Sequence, residues 1–358
     1  MSWRAGAPPR AREVMAAAAT HRGSPTALGA SVSVLVWRNR ALGDAILSIP
    51  ALRALRAARP RAVVRLVGYP DAWRVVAGLV DDALPIEAPV FAGLFAGGPA
   101  GELRTWLRDA ERAVAVTTRD FGAVLRAAGV PNVVQISPYP PPGIHASDWL
   151  LRAVGMALDG DASDELRTAR AEPPALALTE SETARARRHL DGLGLERPVV
   201  LHPGAGQPWK RWPPDRYARL GDVLRQRGWQ VALSAGPADG MATVEVQRTA
   251  REPFPVLGPL PPRDLAAALS LAACYVGNDS GVTHLAAAAG TPTLALFGPT
   301  DPASWAPRGN AWILRTCETR VEQQGQIRVC DDPHCLDGIM VEMVLDSVMA
   351  HIGQAPPA

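Results

Sequence analysis

Lysine is nearly absent from this 358-residue sequence: of its 37 basic residues only Lys210 is not arginine. A drift from lysine to arginine carries no function by itself. It does make the one retained ammonium conspicuous, because a compact point charge and a wide planar guanidinium are not interchangeable in a tight site. An excess of one charge sign is also missing. The 35 acidic residues leave a formal net charge of +2, which gives no support to nucleic-acid binding, where a basic domain or stripe is the rule. Four cysteines (Cys274, Cys317, Cys330 and Cys335) are too few for a disulfide scaffold in so long a chain, so a reducing cytoplasm is the default compartment. No run of about 18 apolar residues occurs, and nothing reads as a membrane-spanning helix. The sequence is rich in hydrophobic residues, at 47%, which excludes disorder of the whole chain. Its 32 glycines and 34 prolines fit many strand–turn–helix connections. The length predicts about two domains.

Residues 1–30 are mostly Ala, Arg, Gly and Pro without an apolar period and read as a disordered tail; they lack the apolar core of a secretory signal. A strand at 32–37, a loop, a helix at 45–58 kinked or started by Pro50, and a strand at 62–68 form a βαβ unit and predict a parallel sheet. A strand at 113–117, a helix at 121–128, a strand at 132–136 and a helix from Ser147 complete an N-terminal domain over 31–172. The polar stretch 161–174 reads as a linker. A second α/β series over 173–345 places strands at 198–201, 230–233, 274–277 and 293–298, with helices at 181–193, 215–228, 265–273 and 282–289. Residues 346–358 are assigned to a C-terminal tail. The pattern is α/β, with two Rossmann-like doubly wound domains facing a cleft. Ligands in such sheets lie beyond the carboxyl ends of the strands, so the cleft is the expected site.

Three strand-to-helix loops carry the unusual residues. In Arg40-Ala41-Leu42-Gly43-Asp44, Gly43 permits a close backbone approach. Asp44 is either a first-turn helix acid or a carboxylate at the cleft able to take a proton from a hydroxyl. The segment Leu201–Pro213 is no P-loop, because Gly-Lys-Ser/Thr is missing. Its small residues still leave backbone N–H groups for an anion, and Lys210 can swing in as a counter-charge for a diphosphate. Trp209 and Trp212 beside it read as packing. In Gly277–His284, the residues Ser280, Gly281 and Val282 stand at a helix N-terminus, where N–H groups and dipole both favour phosphate. His284 is either a donor to the same anion or a satisfied core residue. Cys330-x4-Cys335 with Cys317 and His334 lies at the loose end of zinc spacing; these read as reduced cysteines in a packed loop, and no metal is assigned. No G-x-G-x-x-G follows either opening strand, which disfavours a dinucleotide-dependent dehydrogenase.

Taken together, Leu42-Gly43-Asp44-Ala45, His202-Pro203-Gly204-Ala205 with Lys210 and Trp212-Pro213, and Asn278-Asp279-Ser280-Gly281-Val282-Thr283-His284-Leu285-Ala286-Ala287 running to Phe297-Gly298-Pro299-Thr300-Asp301-Pro302 resemble glycosyltransferase family 9, the lipopolysaccharide heptosyltransferases. The resemblance covers about 32–348. It implies a GT-B fold, with the acceptor on the N-terminal domain and the nucleotide sugar on the C-terminal one, and a metal-independent, inverting transfer without cofactor. By position, Asp44 matches the catalytic base and Lys210 the cation that neutralises the donor phosphates. Ser280, Gly281, Val282 and His284 match the diphosphate-binding helix start, and Asp279 an acid that reaches the donor sugar. Gly204, Ala205 and Gly206 lie along the nucleotide, and Asp239 falls where the family has an acid for the ribose or base. The implied partners are a nucleotide sugar, ADP-heptose foremost, and a glycolipid or glycan acceptor met in the cytoplasm, peripherally on the inner face of the inner membrane.

One departure concerns the acceptor. The stretch 81–101 contains no Arg or Lys, so Arg38, Arg40 and Arg119, beside Gly43, are the residues assigned to an anionic acceptor. Two other readings remain: a GT-B-shaped nucleotide-sugar 2-epimerase, and a nucleotide-sugar-binding protein without turnover.

Overall fold

The computed structural model of the chain describes residues 33–353, apart from 39–41, 70–71, 73, 77, 86, 92–105, 108, 159–165, 167–168, 237–238, 318–320, 324–325, 329–331 and 333. The expected tail at 1–30, Arg40, Cys330 and half of the expected linker lie outside the described residues.

The first lobe is a parallel sheet of β1 (Ser33–Arg38), β2 (Val63–Gly68), β3 (Asp82–Pro85), β4 (Ala110–Val116) and β5 (Asn132–Ile136), in the order β3-β2-β1-β4-β5. Its helices are α1 (Leu42–Ala58), α2 (Phe121–Ala127) and α3 (Ala146–Ala157). The inner strands β2 and β4 are rich in Val, Ala and Leu and buried along most of their length, as a parallel sheet covered on both faces requires, while the edge strands β3 and β5 are mostly half-buried or exposed. Pro50 neither starts α1 nor ends it. The helix runs from Leu42 through the proline, and Ile46, Leu47, Ile49, Leu52 and Leu55 are buried on it. The helix therefore begins earlier than expected, and Asp44 stands within its first turn.

The second lobe is reached through α4 (Glu180–Gly192), whose start carries a reciprocal capping box between Thr179 and Glu182. Its sheet holds β6 (Val199–His202), β7 (Val231–Ser234), β8 (Val256–Leu257), β9 (Cys274–Asn278), β10 (Thr293–Leu296) and β11 (Ala311–Leu314), all parallel, in the order β11-β10-β9-β6-β7-β8. Around it lie α5 (Pro214–Gln226), α6 (Gly240–Thr249), α7 (Pro262–Ser270), α8 (Gly281–Ala288), the single-turn α9 (Pro302–Trp305) and α10 (Val341–Ile352). A small antiparallel ribbon, β12 (Val321–Gln323) with β13 (Gln326–Arg328), precedes α10. The tail expected from 346 is corrected here. α10 continues to Ile352 and buries Val348 and Met349 in the second lobe's core, because Val341, Val344, Leu345, Val348 and Met349 form one apolar helical face.

Among the described residues no helix is long and apolar enough to cross a membrane. One core cluster runs from Val34, Ile46 and Leu55 of the first lobe to Leu269, Leu285 and Ala286 of the second, so the lobes share packed apolar surface.

Candidate active site

Strand order alone locates the site. In each sheet the order reverses once, between β1 and β4 in the first and between β6 and β9 in the second. At such a switch point the loops leaving adjacent strands diverge and open a crevice beyond their carboxyl ends. The loops after β1, β6 and β9 are the three with unusual residues, and Arg119 lies exposed beyond the end of β4.

On the second lobe, Asn278 ends β9 fully buried and stitches two loops together. Its amide oxygen accepts from the Trp212 N–H at 2.9 Å, and its amide nitrogen donates to the Pro203 and Gly204 carbonyls at 3.0 and 3.3 Å. Arg211 donates to the Ala205 carbonyl at 3.1 Å. Trp212 is wholly buried, and its indole N–H reaches the Ile339 carbonyl at 2.8 Å. The glycine loop is thus held by side chains. Lys210 ends a single 3₁₀ turn, Pro208–Lys210. Its Nζ donates to Asp279 Oδ2 at 2.5 Å and stands 5.4 Å from the centre of the Trp209 ring. The Thr300 hydroxyl donates to the same oxygen at 2.6 Å. Asp279 is buried, and its Oδ2 accepts from both donors.

Ser280 caps α8, and its hydroxyl oxygen accepts the Thr283 N–H. Thr283 Oγ1 in turn donates to the Asn278 carbonyl and lies 3.1 Å from the Tyr275 hydroxyl. The first N–H groups of α8 have no partner within the helix, as at any helix start. On the other side of the glycine loop, Asp239 Oδ2 accepts the Gly236 N–H at 2.9 Å and sits 3.9 Å from His202 Nε2. A Cβ on Gly204 would fall 2.0 Å from Asp239 Oδ1, so only glycine fits there. His202 Nδ1 is bonded at Ser234, and burial pushes the imidazole below its ordinary value despite the neighbouring Asp239 charge.

The first lobe meets this assembly at α1. A Cβ on Gly281 would lie 3.0 Å from both the Gly43 nitrogen and Leu42 Cβ, and one on Gly43 would lie 3.1 Å from His284 Cδ2. Two glycines, one at each helix start, let the lobes touch. The buried His284 ring at this contact is pushed below its ordinary value, chiefly by burial; Asp279 and Asp44 oppose the shift and Lys210 adds to it. All three charges therefore act on one imidazole, and Asp44, Lys210 and Asp279 converge on the start of α8.

The profile of glycosyltransferase family 9 (heptosyltransferase) matches residues 162–326. Lipopolysaccharide heptosyltransferase 3 of Escherichia coli K12 is 40% identical over 126 residues, which are 34% of this chain and 37% of the relative. Lipopolysaccharide heptosyltransferase 1 of Pseudomonas aeruginosa is 29% identical over 299 residues, 75% of this chain and 79% of that one. Over these stretches the chain is similar to the heptosyltransferases of glycosyltransferase family 9. In the first curated relatives it matches, the aligned stretch spans only about two fifths of their length, 37% to 42%. Two solved structures share the fold over most of both chains. The family 9 glycosyltransferase of Veillonella parvula has a TM-score of 0.71 at 19% identity, covering 91% of this chain and 99% of its own. The E. coli ADP-heptose LPS heptosyltransferase II has 0.68 at 22%, covering 90% and 99%. The two-lobed arrangement is the GT-B fold.

Against the family pattern, Gly43, Asp44, Gly204, Lys210, Asp279, Ser280, Gly281 and His284 fall at the two switch points, and Asp239, in the loop after β7, lies beside the Gly204 loop. Ala205 is buried in the same loop and Gly206 is exposed in it; Val282 is part-buried on α8. Lys210 forms an ion pair with Asp279. Arg38 ends β1, and nothing is described of its side chain; Arg119 is placed at the same sheet edge, while Arg40 lies outside the described residues. Cys335 is buried and Cys317 half-buried. Sequence reasoning missed the roles of Asn278 and Thr300 in holding the loops. The available signal was an amide ending an apolar strand ahead of Asp-Ser-Gly. It also missed His145, taken up below.

Proposed function

We propose that this chain is an inverting, metal-independent glycosyltransferase that moves heptose from ADP-heptose to a lipopolysaccharide-core or related glycan acceptor. The observation that carries this reading is the convergence of Asp44 from one lobe with Lys210, Asp279 and the α8 start from the other, at the Gly43–Gly281 contact. Asp44 takes the proton of the acceptor hydroxyl while that oxygen attacks the anomeric carbon. The bond from that carbon to the diphosphate oxygen breaks on the opposite face, and the configuration inverts. Lys210 and the free N–H groups of α8 stabilise the charge that grows on the leaving diphosphate, the task a metal performs elsewhere. Ser280, Val282 and His284 line that diphosphate, with Gly204, Ala205, Gly206 and Asp239 along the nucleoside. Asp279 orients Lys210 and faces the donor sugar.

The donor is read as ADP-heptose because the relatives that the chain resembles are named as heptosyltransferases and one solved neighbour is named for ADP-heptose. By the family resemblance, Gly43, Arg38, Arg40 and Arg119 are assigned to the acceptor. A glycolipid acceptor puts the enzyme in the cytoplasm, peripherally on the inner face of the inner membrane. The deciding experiment gives the purified protein ADP-heptose with and without a heptose-deficient lipopolysaccharide core, in the presence of EDTA. ADP release that requires the acceptor, and a product of inverted anomeric configuration, support transfer. ADP released equally without acceptor sinks it. In a thermal-shift panel ADP should stabilise by about 2.7 kcal/mol at a hundred times its Kd, and a stronger response to UDP or GDP would reassign the donor.

A further inference from the structure

The proposed transfer leaves a buried histidine without a task. His145 opens α3 on the first lobe and is only 6% exposed. Its Nδ1 accepts the Ser147 N–H at 3.2 Å, so the ring proton sits on Nε2. That nitrogen is 2.9 Å from the Ala306 carbonyl of the second lobe, an acceptor only, and donates to it. Burial holds the imidazole at about 4, so it is uncharged near neutrality and both its nitrogens are satisfied. Ala306 closes the turn that begins at Asp301, next to Thr300, whose hydroxyl holds Asp279 and through it Lys210. One turn further along α3, Asp148 takes Arg308 with both oxygens, at 2.7 and 2.6 Å. Arg308 also donates to the Ala171 carbonyl at 2.9 Å, and the Ala171 N–H donates to Asp148 at 2.7 Å, so the segment joining the lobes is tied into the same seam. α3 packs along α1, the helix that presents Asp44.

We propose that His145 is a positioning residue: its Nε2–H bond to the Ala306 carbonyl is the latch that holds the first lobe closed on the second, setting the α1 start against the Lys210–Asp279 loops. The kinetic consequence rests on the transferase reading given above; the geometric one does not.

Two substitutions separate the latch from the helix cap. In His145→Gln the amide nitrogen reaches about as far as Nε2 and can donate to Ala306, but the acceptor for Ser147 is lost. In His145→Asn the side-chain oxygen stands about where Nδ1 stood and keeps the cap, but nothing reaches Ala306. The latch predicts that the Asn variant loses about tenfold or more in kcat, with ADP affinity within about threefold, since a displacement near 1 Å costs up to about 10²-fold in rate. The Gln variant should stay within about threefold of the unsubstituted protein. Small-angle scattering of the ligand-free protein should show a larger radius of gyration for Asn and no change for Gln. A role in capping alone predicts the reverse ranking, and that ranking in either readout overturns the proposal, as does an unchanged scattering curve for Asn. If the unsubstituted protein binds no ADP, yet Asn opens and Gln stays closed, the latch stands and the donor reading falls.

Discussion

The two lobes solve the same problem with different economies of side chain. In the second lobe the loops at the switch point are bonded to one another before any ligand arrives: Asn278 holds the backbone at Pro203, Gly204 and Trp212, Asp279 holds Lys210 and Thr300, and Asp239 holds the Gly236 N–H. In the first lobe the corresponding position is the start of α1, with Gly43 to admit the neighbour and Asp44 in the first turn. A diphosphate needs several donors fixed in space, because preorganisation is what makes each donor effective on developing charge. A single proton transfer needs one carboxylate brought to the right distance, and lobe closure can supply that. On the proposed reading, the second lobe holds its donors in place and the first carries the carboxylate to them.

This contrast fails most visibly if Asp44 is dispensable. Asp44→Asn keeps a polar group in the first turn of α1, so stability should change by no more than about 1 kcal/mol, while kcat should fall by about 10²–10⁴. Single-turnover measurements with saturating donor would show this, and a fall below tenfold removes Asp44 from the chemistry. Lys210→Ala should cost about 10²–10³ in kcat with the fold retained. It also strips Asp279, buried at 8% exposure, of a charged partner, so a circular-dichroism melt must accompany the kinetics. Turnover unchanged in a folded variant would end its role. A smaller loss tests the contact itself. In Gly281→Ala the new methyl meets the Gly43 nitrogen and Leu42 Cβ at 3.0 Å, tighter than ordinary contact. Alanine is the better helix former by up to about 1 kcal/mol. Turnover should drop about tenfold while the melting temperature holds or rises, a separation that a general loss of fold would not give.

Both sheets were legible in outline because a parallel α/β pattern writes itself as short Val, Ala and Leu runs punctuated by glycine and proline. What escaped were elements whose local signal contradicts their state. α6 carries Thr243, Val244, Val246 and Thr249, β-branched residues that lower helix propensity, and it is helical because Ala242, Thr243 and Val246 are buried. β8 has two residues and β11 only half-buried ones, so neither shows alternation or a full apolar run. The loop residues 38–44 place the start of α1 at 45, and Pro50 suggests a kink or a first turn, yet the helix takes in Leu42–Asp44 and runs through the proline, because its buried face outweighs the lost backbone bond. The loops of the second lobe were readable residue by residue, since glycine, a lone lysine and Asp-Ser-Gly each have local chemical meaning. The side-chain bonds between those loops were not, because Asn278, Trp212 and Thr300 are distant in sequence and meet only through the strand order. His145 escaped for the same reason: a histidine after Gly-Ile has no local signature, and its partner lies 161 residues away.

Acid acts on the seam between the lobes as well. His145, His202 and His284 are all buried and all held below the ordinary imidazole value, His145 at about 4, with burial the chief cause in each. The unfolded chain takes up these protons near pH 6.5. Below that pH the unfolded state binds more protons than the folded one, so stability falls as pH drops, and the contribution of His145 levels off near its folded value. For His145, between its unfolded and folded values, that slope is about 1 kcal/mol per pH unit. Carboxylates act in a lower window. Arg263 holds the Glu182 carboxyl down at about 2, against burial, and for Asp148 the rise that burial would cause is outweighed by Arg308 and the Ala171 N–H. Their contributions, full at neutral pH, are lost only as pH falls below the ordinary carboxylate range. Denaturant melts should therefore weaken steadily from pH 6.5 towards 4, and His145→Gln should remove one histidine's share of that slope while leaving the carboxylate window untouched. A slope identical in the variant would mean that His145 is protonated in the folded protein, and the single-tautomer bond across the lobes would then be lost.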